Sequence, residues 1–295
     1  MRKIVSGLVA LMITGAFTGC SGTPDRGDGH SEAEGPEGWK LIWSDEFDQD
    51  QLDRTKWTFD IGNGFTDGNG NYVSGWGNNE LEYYTGREDN ARVKDGKLII
   101  TAVRERFEGF DYTSARLKTK GLFSTTYGRF EFRAKLPAGK GLWPALWLLP
   151  EDDKYGGWAA SGEIDVMEAK GSIPGMVSGA IHFGGSWPNN TYKDGRYTFP
   201  EGTTIEDDHV YALEWEPGAI HWYVDGELVQ TQTEWYSRGN QEDGGESPPF
   251  PAPFDQPFYM LMNLAVGGNF DGAPDENTVF PARMEVDYVR VYRRE

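Results

Sequence analysis

Met284-Glu285-Val286-Asp287-Tyr288-Val289-Arg290-Val291-Tyr292 alternates apolar and polar side chains. A period of two is typical of a β-strand that buries one face and exposes the other. The segment Arg129-Phe130-Glu131-Phe132-Arg133-Ala134-Lys135-Leu136 has the same pattern, whereas amphipathic helical stretches are scarce. Half-buried strands need a second layer over their apolar face. The sequence therefore predicts an all-β domain.

Two Asp-Gly pairs, Asp95-Gly96 and Asp225-Gly226, separate β-rich runs. This dipeptide is a strong hairpin signal because both central residues of the tight turn take positive φ. Many strands joined by tight turns favour an antiparallel β-sandwich. We expect three long loops, at residues 62–79, 184–200 and 238–253, and the first two contain residue types that bind sugars.

The N-terminus has the layout of an export signal, with Arg2 and Lys3 before an apolar stretch and Thr18-Gly19-Cys20 after it. The apolar stretch is shorter than the roughly 20 residues of a bilayer span, and small residues before a Cys resemble a lipoprotein processing site. Residues 1–20 are therefore predicted to be a lipoprotein-type signal peptide that leaves Cys20 lipidated. Cleavage at a nearby site without lipidation is the alternative.

Residues 21–37 are rich in Gly, Pro, Ser, Asp and Glu, which predicts a flexible linker. We expect one folded domain over residues 38–295, exported and held at the cell envelope by a lipid on Cys20, or secreted. Cys20 is the only cysteine, so the core must stabilise the domain without a disulfide. We expect a monomer.

The net charge is −19, and loss of Arg2 and Lys3 with the signal would make the chain more negative still. Such a charge disfavours nucleic acid, anionic lipid and sulfated polymers as partners. The chain has 11 Trp and 14 Tyr, more large aromatics than a core of this size requires. Some of them are expected to line a cleft, where flat sugar faces stack on aromatic rings. A neutral sugar polymer is the predicted partner.

Three acids lie within six residues of the strand-like run Ser161-Gly162-Glu163-Ile164-Asp165-Val166-Met167-Glu168-Ala169. A solvated strand face would need all three on one side, yet alternation places Glu168 opposite Glu163 and Asp165. A β-bulge around Val166 or Met167 would return Glu168 to their face. The carboxyls of Glu163 and Glu168 would then lie roughly 5 Å apart, the separation of a retaining glycosidase.

With this motif the chain resembles glycoside hydrolase family 16, and in particular its laminarinase-like members. The resemblance also covers 43–47 (WSDEF), 77–80 (GNNE), 112–116 (YTSAR), 143–147 (WPALW), 181–185 (IHFGG) and 286–292. It implies a concanavalin A-like β-jelly roll with a substrate cleft on the concave face, and a catalytic domain over residues 38–295.

The resemblance also implies roles for individual residues. Glu163 would be the nucleophile, Glu168 the acid/base, and Asp165 would position the nucleophile. Negative charge around Glu168 should raise its pKa and keep it protonated. Substrate contacts are expected from Asn79, Arg116, Trp143, Trp147, His182 and Asn263. Independently of the family, the position of Trp187 in a loop after His182 predicts an additional stacking surface.

No cofactor is expected for catalysis, because the four histidines lack zinc-like spacing and no phosphate-binding loop is present. The resemblance implies a structural Ca²⁺ held away from the cleft by Glu46, the Gly96 carbonyl and Asp287. An ordinary solvent-facing role for Asp287 is the alternative.

The leading hypothesis is endo-acting hydrolysis of β-1,3-glucan or mixed β-1,3/1,4-glucan. The alternatives are an agarase or a transglycosylase of the same family, and a non-catalytic β-glucan-binding protein. Since both glutamates are present, the binding-only alternative is disfavoured.

Overall fold

The computed structural model describes residues 35–68, 70–239 and 246–295. The predicted signal peptide, Cys20 and nearly all of the predicted linker lie outside these residues and stay predictions. Among the described residues, no helix is both long and apolar enough to span a bilayer.

Nineteen strands, one short α-helix and one 3₁₀ helix (Gly75–Gly77) make up the described fold. They are β1 (Trp39–Asp45), β2 (Thr58–Asp60), β3 (Gly64–Thr66), β4 (Tyr72–Ser74), β5 (Glu82–Tyr84), β6 (Ala91–Lys94), β7 (Lys97–Phe107), β8 (Phe110–Ser114), β9 (Arg116–Lys118), β10 (Gly128–Lys135), β11 (Leu142–Pro150), β12 (Glu163–Glu168), β13 (Met176–Gly184), β14 (Asn190–Thr198), β15 (His209–Glu216), β16 (Ala219–Val224), β17 (Glu227–Gln232), β18 (Phe258–Val266), α1 (Gly268–Asp271) and β19 (Ala282–Arg294).

Two large sheets hold most of the strands. The ten-stranded sheet has the order β17-β16-β15-β10-β19-β7-β8-β5, with β1 beside β19 and β6 beside β7. The seven-stranded sheet has the order β14-β13-β12-β11-β18-β9-β2, and β3 pairs with β4 in a separate hairpin. The strand pairs of the two large sheets are antiparallel except for β5 and β8, which run parallel. The predicted antiparallel sandwich is therefore confirmed.

The core fills the space between the two large sheets. The predicted alternation places Phe130, Phe132 and Ala134 of β10 inside, together with Val289 and Val291 of β19. Burying apolar surface contributes roughly 25 cal/mol for each Å² removed from water. Because residues 38–295 contain no cysteine and so no disulfide, this apolar layer is the main source of the domain's stability.

Both predicted hairpins are confirmed. Asp95 and Gly96 connect β6 to β7 with φ of 54° and 74°, and Asp225 and Gly226 connect β16 to β17 with φ of 50° and 81°. Positive φ at both central residues is the conformation that a two-residue hairpin requires.

The loop predictions are partly wrong. Residues 62–79 contain the β3–β4 hairpin, and residues 184–200 contain the nine-residue strand β14. β14 is an edge strand with intermediate or exposed residues on both faces, so its polar sequence lacks the alternation that marks a half-buried strand. The described parts of 238–253 contain no strand.

Candidate active site

The candidate site lies on the face of the seven-stranded sheet that is turned away from the core. On β11, Leu142, Leu146 and Leu148 pack into the core, whereas Trp143 and Trp147 are only half-buried. The neighbouring strands β18, β9, β12 and β13 contribute other predicted site residues to the sheet. Trp143 and Trp147 are not enclosed between the sheets, so they stay available for stacking.

The predicted bulge in β12 is confirmed. On one side Leu146 pairs with Met167 but Trp147 pairs with Asp165, which leaves Val166 as the extra residue. Both Val166 and Met167 are buried in the core, so the next side chain, Glu168, faces away from it as Glu163 does. One inserted residue therefore places all three acids on one face.

Two neighbours accommodate the bulge. On β13, Ala180 pairs with Asp165 and Ser178 with Glu168, so Gly179 lies opposite the bulged residues. Because Gly179 has no Cβ, Trp222 can approach from the core; a Cβ there would lie 2.5 Å from the indole ring. Trp222 Nε1 donates to the Asp165 carbonyl at 2.8 Å. This bond satisfies a buried backbone group that the irregular ladder would otherwise leave unpaired.

Glu163 is half-buried and contacts two side chains. Trp158 Nε1 donates to Glu163 Oε2 at 2.8 Å, and His182 Nε2 lies 3.7 Å from Oε1. Burial, together with the charge of Asp165, raises the pKa of Glu163 to about 7, although His182 and the Trp158 hydrogen bond oppose this shift. The carboxyl is thus ionised only near or above neutral pH.

Glu168 is the more strongly shifted of the two glutamates. Trp143 Nε1 donates to Glu168 Oε1 at 2.9 Å. Burial and the negative charges of Asp165 and Glu163 raise the pKa of Glu168 to about 8. The predicted rise in the pKa of Glu168 agrees with this value, and near neutral pH Glu168 holds the proton more tightly than Glu163 does.

Asp165 is 3% exposed, and it lies beside His182. His182 Nε2 is 3.2 Å from Asp165 Oδ2, an ion-pair distance, although the ring is not aligned for a hydrogen bond to that oxygen. Burial would lower the pKa of His182, but the contact with Asp165 and the charges of all three acids raise it to about 10. An imidazolium at this position partly neutralises the acidic cluster.

Arg116 is buried against two tryptophans. Its guanidinium carbon lies 4.4 Å from the centroid of Trp76 and 4.6 Å from that of Trp147. Its Nε is 2.9 Å from Asp60 Oδ2. The positive charge of Arg116 also lowers the pKa of Glu163. Arg116 therefore acts on the site by its charge and by holding the Trp147 ring, and a direct sugar contact stays a prediction.

Asn263 connects Trp147 to a buried hydrogen-bond chain. Its Oδ1 accepts from Trp147 Nε1 at 2.8 Å, and its Nδ2 donates to Tyr84 Oη at 3.1 Å. The Tyr84 hydroxyl donates to Glu80 Oε2 at 3.0 Å. Asn79 is exposed and donates to Oδ1 of Asn269, a residue of α1, at 2.8 Å.

Trp187 is 73% exposed, which suits a stacking surface, and its backbone amide donates to the Trp158 carbonyl at 2.7 Å. Trp158 itself and Tyr192 were not identified from the sequence. The His182 ring lies 5.6 Å from the Trp158 ring and also 5.6 Å from the Tyr192 ring, on which it stacks. Their signal was weak, because Trp158 lies in an irregular loop and Tyr192 in an edge strand with no clear alternation.

The predicted calcium ligands do not form a cation site in this structure. Glu46 pairs with Arg290 through two hydrogen bonds of 2.9 and 2.7 Å, and Asp287 pairs with Arg133. Gly96 is in the turn between β6 and β7. Two carboxylates already neutralised by arginines do not fit Ca²⁺, which needs several free oxygen ligands. The side-chain pairing therefore does not support the Ca²⁺ expected at Glu46, Gly96 and Asp287.

Comparison with known proteins agrees with this geometry. The family model for glycosyl hydrolases family 16 matches residues 78–290. This chain belongs to glycosyl hydrolase family 16. It is 50% identical over 270 residues to glucan endo-1,3-beta-glucosidase A1 of Niallia circulans, covering 88% of this chain and 38% of that protein. It is 46% identical over 262 residues to the beta-glucanase of Rhodothermus marinus, covering 86% and 85%.

A solved structure gives the same picture. The laminarinase catalytic domain from Thermotoga maritima is 43% identical, with a TM-score of 0.73 over 87% of this chain and 99% of that one. The fold of this family 16 member is therefore the predicted jelly roll, and the chain is a glycoside hydrolase that needs no cofactor for catalysis.

Proposed function

We propose that this family 16 enzyme is an endo-acting, retaining hydrolase of β-1,3-glucan or mixed β-1,3/1,4-glucan. The observation that carries the proposal is the bulge in β12, which brings Glu163 and Glu168 to one face beside Trp143 and Trp147. The names of the relatives, which include endo-1,3-beta-glucosidase, beta-glucanase and laminarinase, support the substrate class.

In the proposed first step, the Glu163 carboxylate attacks the anomeric carbon while the bond from that carbon to the leaving oxygen breaks. The proton of Glu168 moves to the leaving oxygen. The pKa values of about 7 and about 8 support this division, because the group that binds its proton more tightly is the one that must donate it.

In the second step, Glu168 accepts a proton from water as the water oxygen attacks the same carbon and Glu163 leaves. Two displacements at one carbon restore the β configuration. Asp165 and His182 touch Glu163 or lie beside it, so we assign them to positioning and to the charge balance of the nucleophile. The roughly 5 Å separation of the glutamate carboxyls stays part of the proposal.

The test is to incubate residues 38–295 with laminarin, lichenan, agar and κ-carrageenan, and to size the products. We expect short oligosaccharides from laminarin or lichenan, a rapid fall in viscosity, and β anomers as the first products by proton NMR. Products from agar alone, or none from any polymer while laminarin still bound, would contradict the proposal. If the enzyme is then given a purified oligosaccharide from these digests, products longer than that oligosaccharide would indicate transglycosylation.

We also propose export and attachment of the protein to the cell envelope through a lipid on Cys20, with a neutral β-glucan as partner and a monomeric state. The residue pattern of 1–20 supports export and the lipid on Cys20, and the negative net charge of the chain supports a neutral partner. Cys20→Ala should move the full-length protein from the membrane fraction to the soluble fraction. If that variant still sedimented with membranes, the lipid anchor would have to be abandoned.

A further inference from the structure

Asp271 is a buried carboxylate that holds loops together at the edge of the site. Its Oδ2 accepts hydrogen bonds from the Gly141 amide at 2.8 Å and the Ser172 amide at 3.1 Å. Its Oδ1 accepts from the Ser172 hydroxyl, and Lys140 Nζ is 3.6 Å from that oxygen. The side chain is 2% exposed. Charge-assisted bonds of this number fix both the carboxylate and its donors.

Asp271 and its donors come from three separate connections. Gly141 is the last residue before β11, Ser172 follows β12, and Asp271 itself ends α1 after β18. The backbones approach so closely that a Cβ on Gly141 would lie 2.3 Å from the Pro274 amide nitrogen. A Cβ on Gly171 would lie 2.2 Å from the Gly139 carbonyl oxygen. The cluster therefore has one packed arrangement, which the Asp271 bonds hold in place.

One route leads from this cluster to Glu168 through aromatic rings. Phe270, adjacent to Asp271, packs on Trp143 with ring centroids 5.0 Å apart and an interplanar angle of 30°. Trp143 Nε1 in turn donates to Glu168 Oε1 at 2.9 Å. The direction of the indole N–H depends on where Phe270 holds the ring.

A second route runs along the backbone. Ser172 lies four residues after Glu168, and both its amide and its hydroxyl donate to Asp271. Between them, the Ala169 amide donates to the Pro144 carbonyl at 3.1 Å and the Gly171 amide to the Leu142 carbonyl at 2.8 Å. The chain leaving Glu168 is thus held to β11 and to Asp271.

We infer that Asp271 is a positioning residue for the acid/base Glu168, acting through Phe270 and Trp143 on one side and through Ser172 on the other. The inference rests on the proposed function. Asp271 has no contact with Glu168 among the hydrogen bonds and ion pairs of the described residues, so its effect must pass through these neighbours.

This role predicts an effect that depends on the leaving group. A misplaced general acid slows departure of a sugar hydroxyl, which needs protonation, but not departure of dinitrophenolate, which does not. The parameter to compare is kcat/KM, because it reports formation of the glycosyl-enzyme and is insensitive to the later step. A general loss of folded enzyme would reduce kcat/KM for both substrates equally.

The experiment measures kcat/KM of the enzyme on laminaritetraose and on 2,4-dinitrophenyl β-laminaribioside. For Asp271→Asn we expect a fall of about tenfold on laminaritetraose and less than twofold on the aryl substrate. Ser172→Ala removes only the hydroxyl donor. It should also lower kcat/KM on laminaritetraose more than on the aryl substrate, but by less than Asp271→Asn does. It also tests the inference if Asp271→Asn fails to fold.

The matched control is Asp45→Asn. Asp45 is also buried, and it accepts hydrogen bonds from Trp57 Nε1 at 2.8 Å and the Phe47 amide at 3.2 Å, but it lies in β1 of the other sheet. The control should leave the ratio of the two kcat/KM values unchanged. Equal losses on both substrates for Asp271→Asn and Ser172→Ala, or the same selective loss for Asp45→Asn, would overturn the inference. A wild-type enzyme inactive on both substrates would instead refute the proposed function.

Discussion

Two groups of acidic side chains, one from each large sheet, have different partners. At the ten-stranded sheet, Glu131 accepts two hydrogen bonds from Arg129, and Glu46, the residue after β1, accepts two from Arg290. On the seven-stranded sheet, the ion pairs of the described residues give Glu163 and Asp165 one shared cationic partner, His182, and give Glu168 none.

The difference separates structural acids from chemical ones. A carboxylate hydrogen-bonded to an arginine has its charge balanced by the guanidinium, and the pair holds neighbouring segments together. Burial and neighbouring negative charge raise the pKa values of Glu163 and Glu168, and this is the condition for acid/base chemistry at moderate pH. The comparison predicts that replacing acids of the two groups has different consequences.

The largest expected effect is the loss of polymer hydrolysis in Glu163→Ala and Glu168→Ala, by roughly 10³-fold or more in kcat. The two should differ on an aryl glycoside with an activated leaving group. Glu168→Ala should still release a burst of dinitrophenol, because glycosyl-enzyme formation no longer needs the acid, and then turn over slowly. Glu163→Ala should show no burst. Comparable bursts from both variants would contradict their separate roles.

The next effect concerns pH. Activity should rise as Glu163 loses its proton near its pKa of about 7 and fall as Glu168 loses its own near about 8. Since the charge of Asp165 raises both pKa values, Asp165→Asn should move both limbs of the profile of kcat/KM to lower pH, with a lower maximum. As a control, Asp45→Asn should leave both limbs of the kcat/KM profile at the pH of the wild type. A profile that kept its position in Asp165→Asn would show that Asp165 does not set these pKa values.

A smaller effect is expected on stability. A glutamate whose folded pKa is raised contributes most to stability below its unfolded pKa of about 4.3, and this contribution is lost as the pH rises through the folded value of about 8. Glu168→Gln cannot ionise, so its Tm should exceed that of the wild type more at pH 9 than at pH 5, by roughly 2–4 °C for each kcal/mol gained. An equal Tm difference at both pH values would refute the raised pKa.

The smallest effect is predicted for the arginine-paired acids. Glu46→Gln and Asp287→Asn should change the free energy of unfolding by about 1 kcal/mol or less and leave kcat unchanged, because ion pairs that are partly open to solvent contribute little. Ca²⁺ should leave the Tm of the EDTA-treated wild type unchanged. A rise in Tm with Ca²⁺ that both variants abolished would instead establish the calcium site at Glu46, Gly96 and Asp287.

Sequence patterns predicted the parts of the fold that depend on local periodicity. The position of Glu168 conflicts with simple alternation, and that conflict predicts the bulge that β12 contains. Asp95-Gly96 and Asp225-Gly226 located two hairpins for a similar local reason.

Contacts made by irregular or edge segments could not be predicted. The loop before β12 determines where Trp158 lies and so allows its hydrogen bond to Glu163. β14 has no buried face that would impose alternation on its sequence. The Asp271 cluster joins residues more than 90 positions apart, so no sequence window contains it. Tertiary packing decides such contacts, and local patterns carry little information about them.

The stereochemistry of azide rescue tests the assignment of Glu163 and Glu168 most directly. In Glu163→Ala, azide can enter where the carboxylate is missing and displace the leaving group from the opposite sugar face, so the account predicts the α-glycosyl azide. In Glu168→Ala with an activated substrate, azide displaces Glu163 from the glycosyl-enzyme without a general base, which predicts the β-azide. Recovery of β-azide from Glu163→Ala and α-azide from Glu168→Ala would contradict the two roles, even with both residues essential.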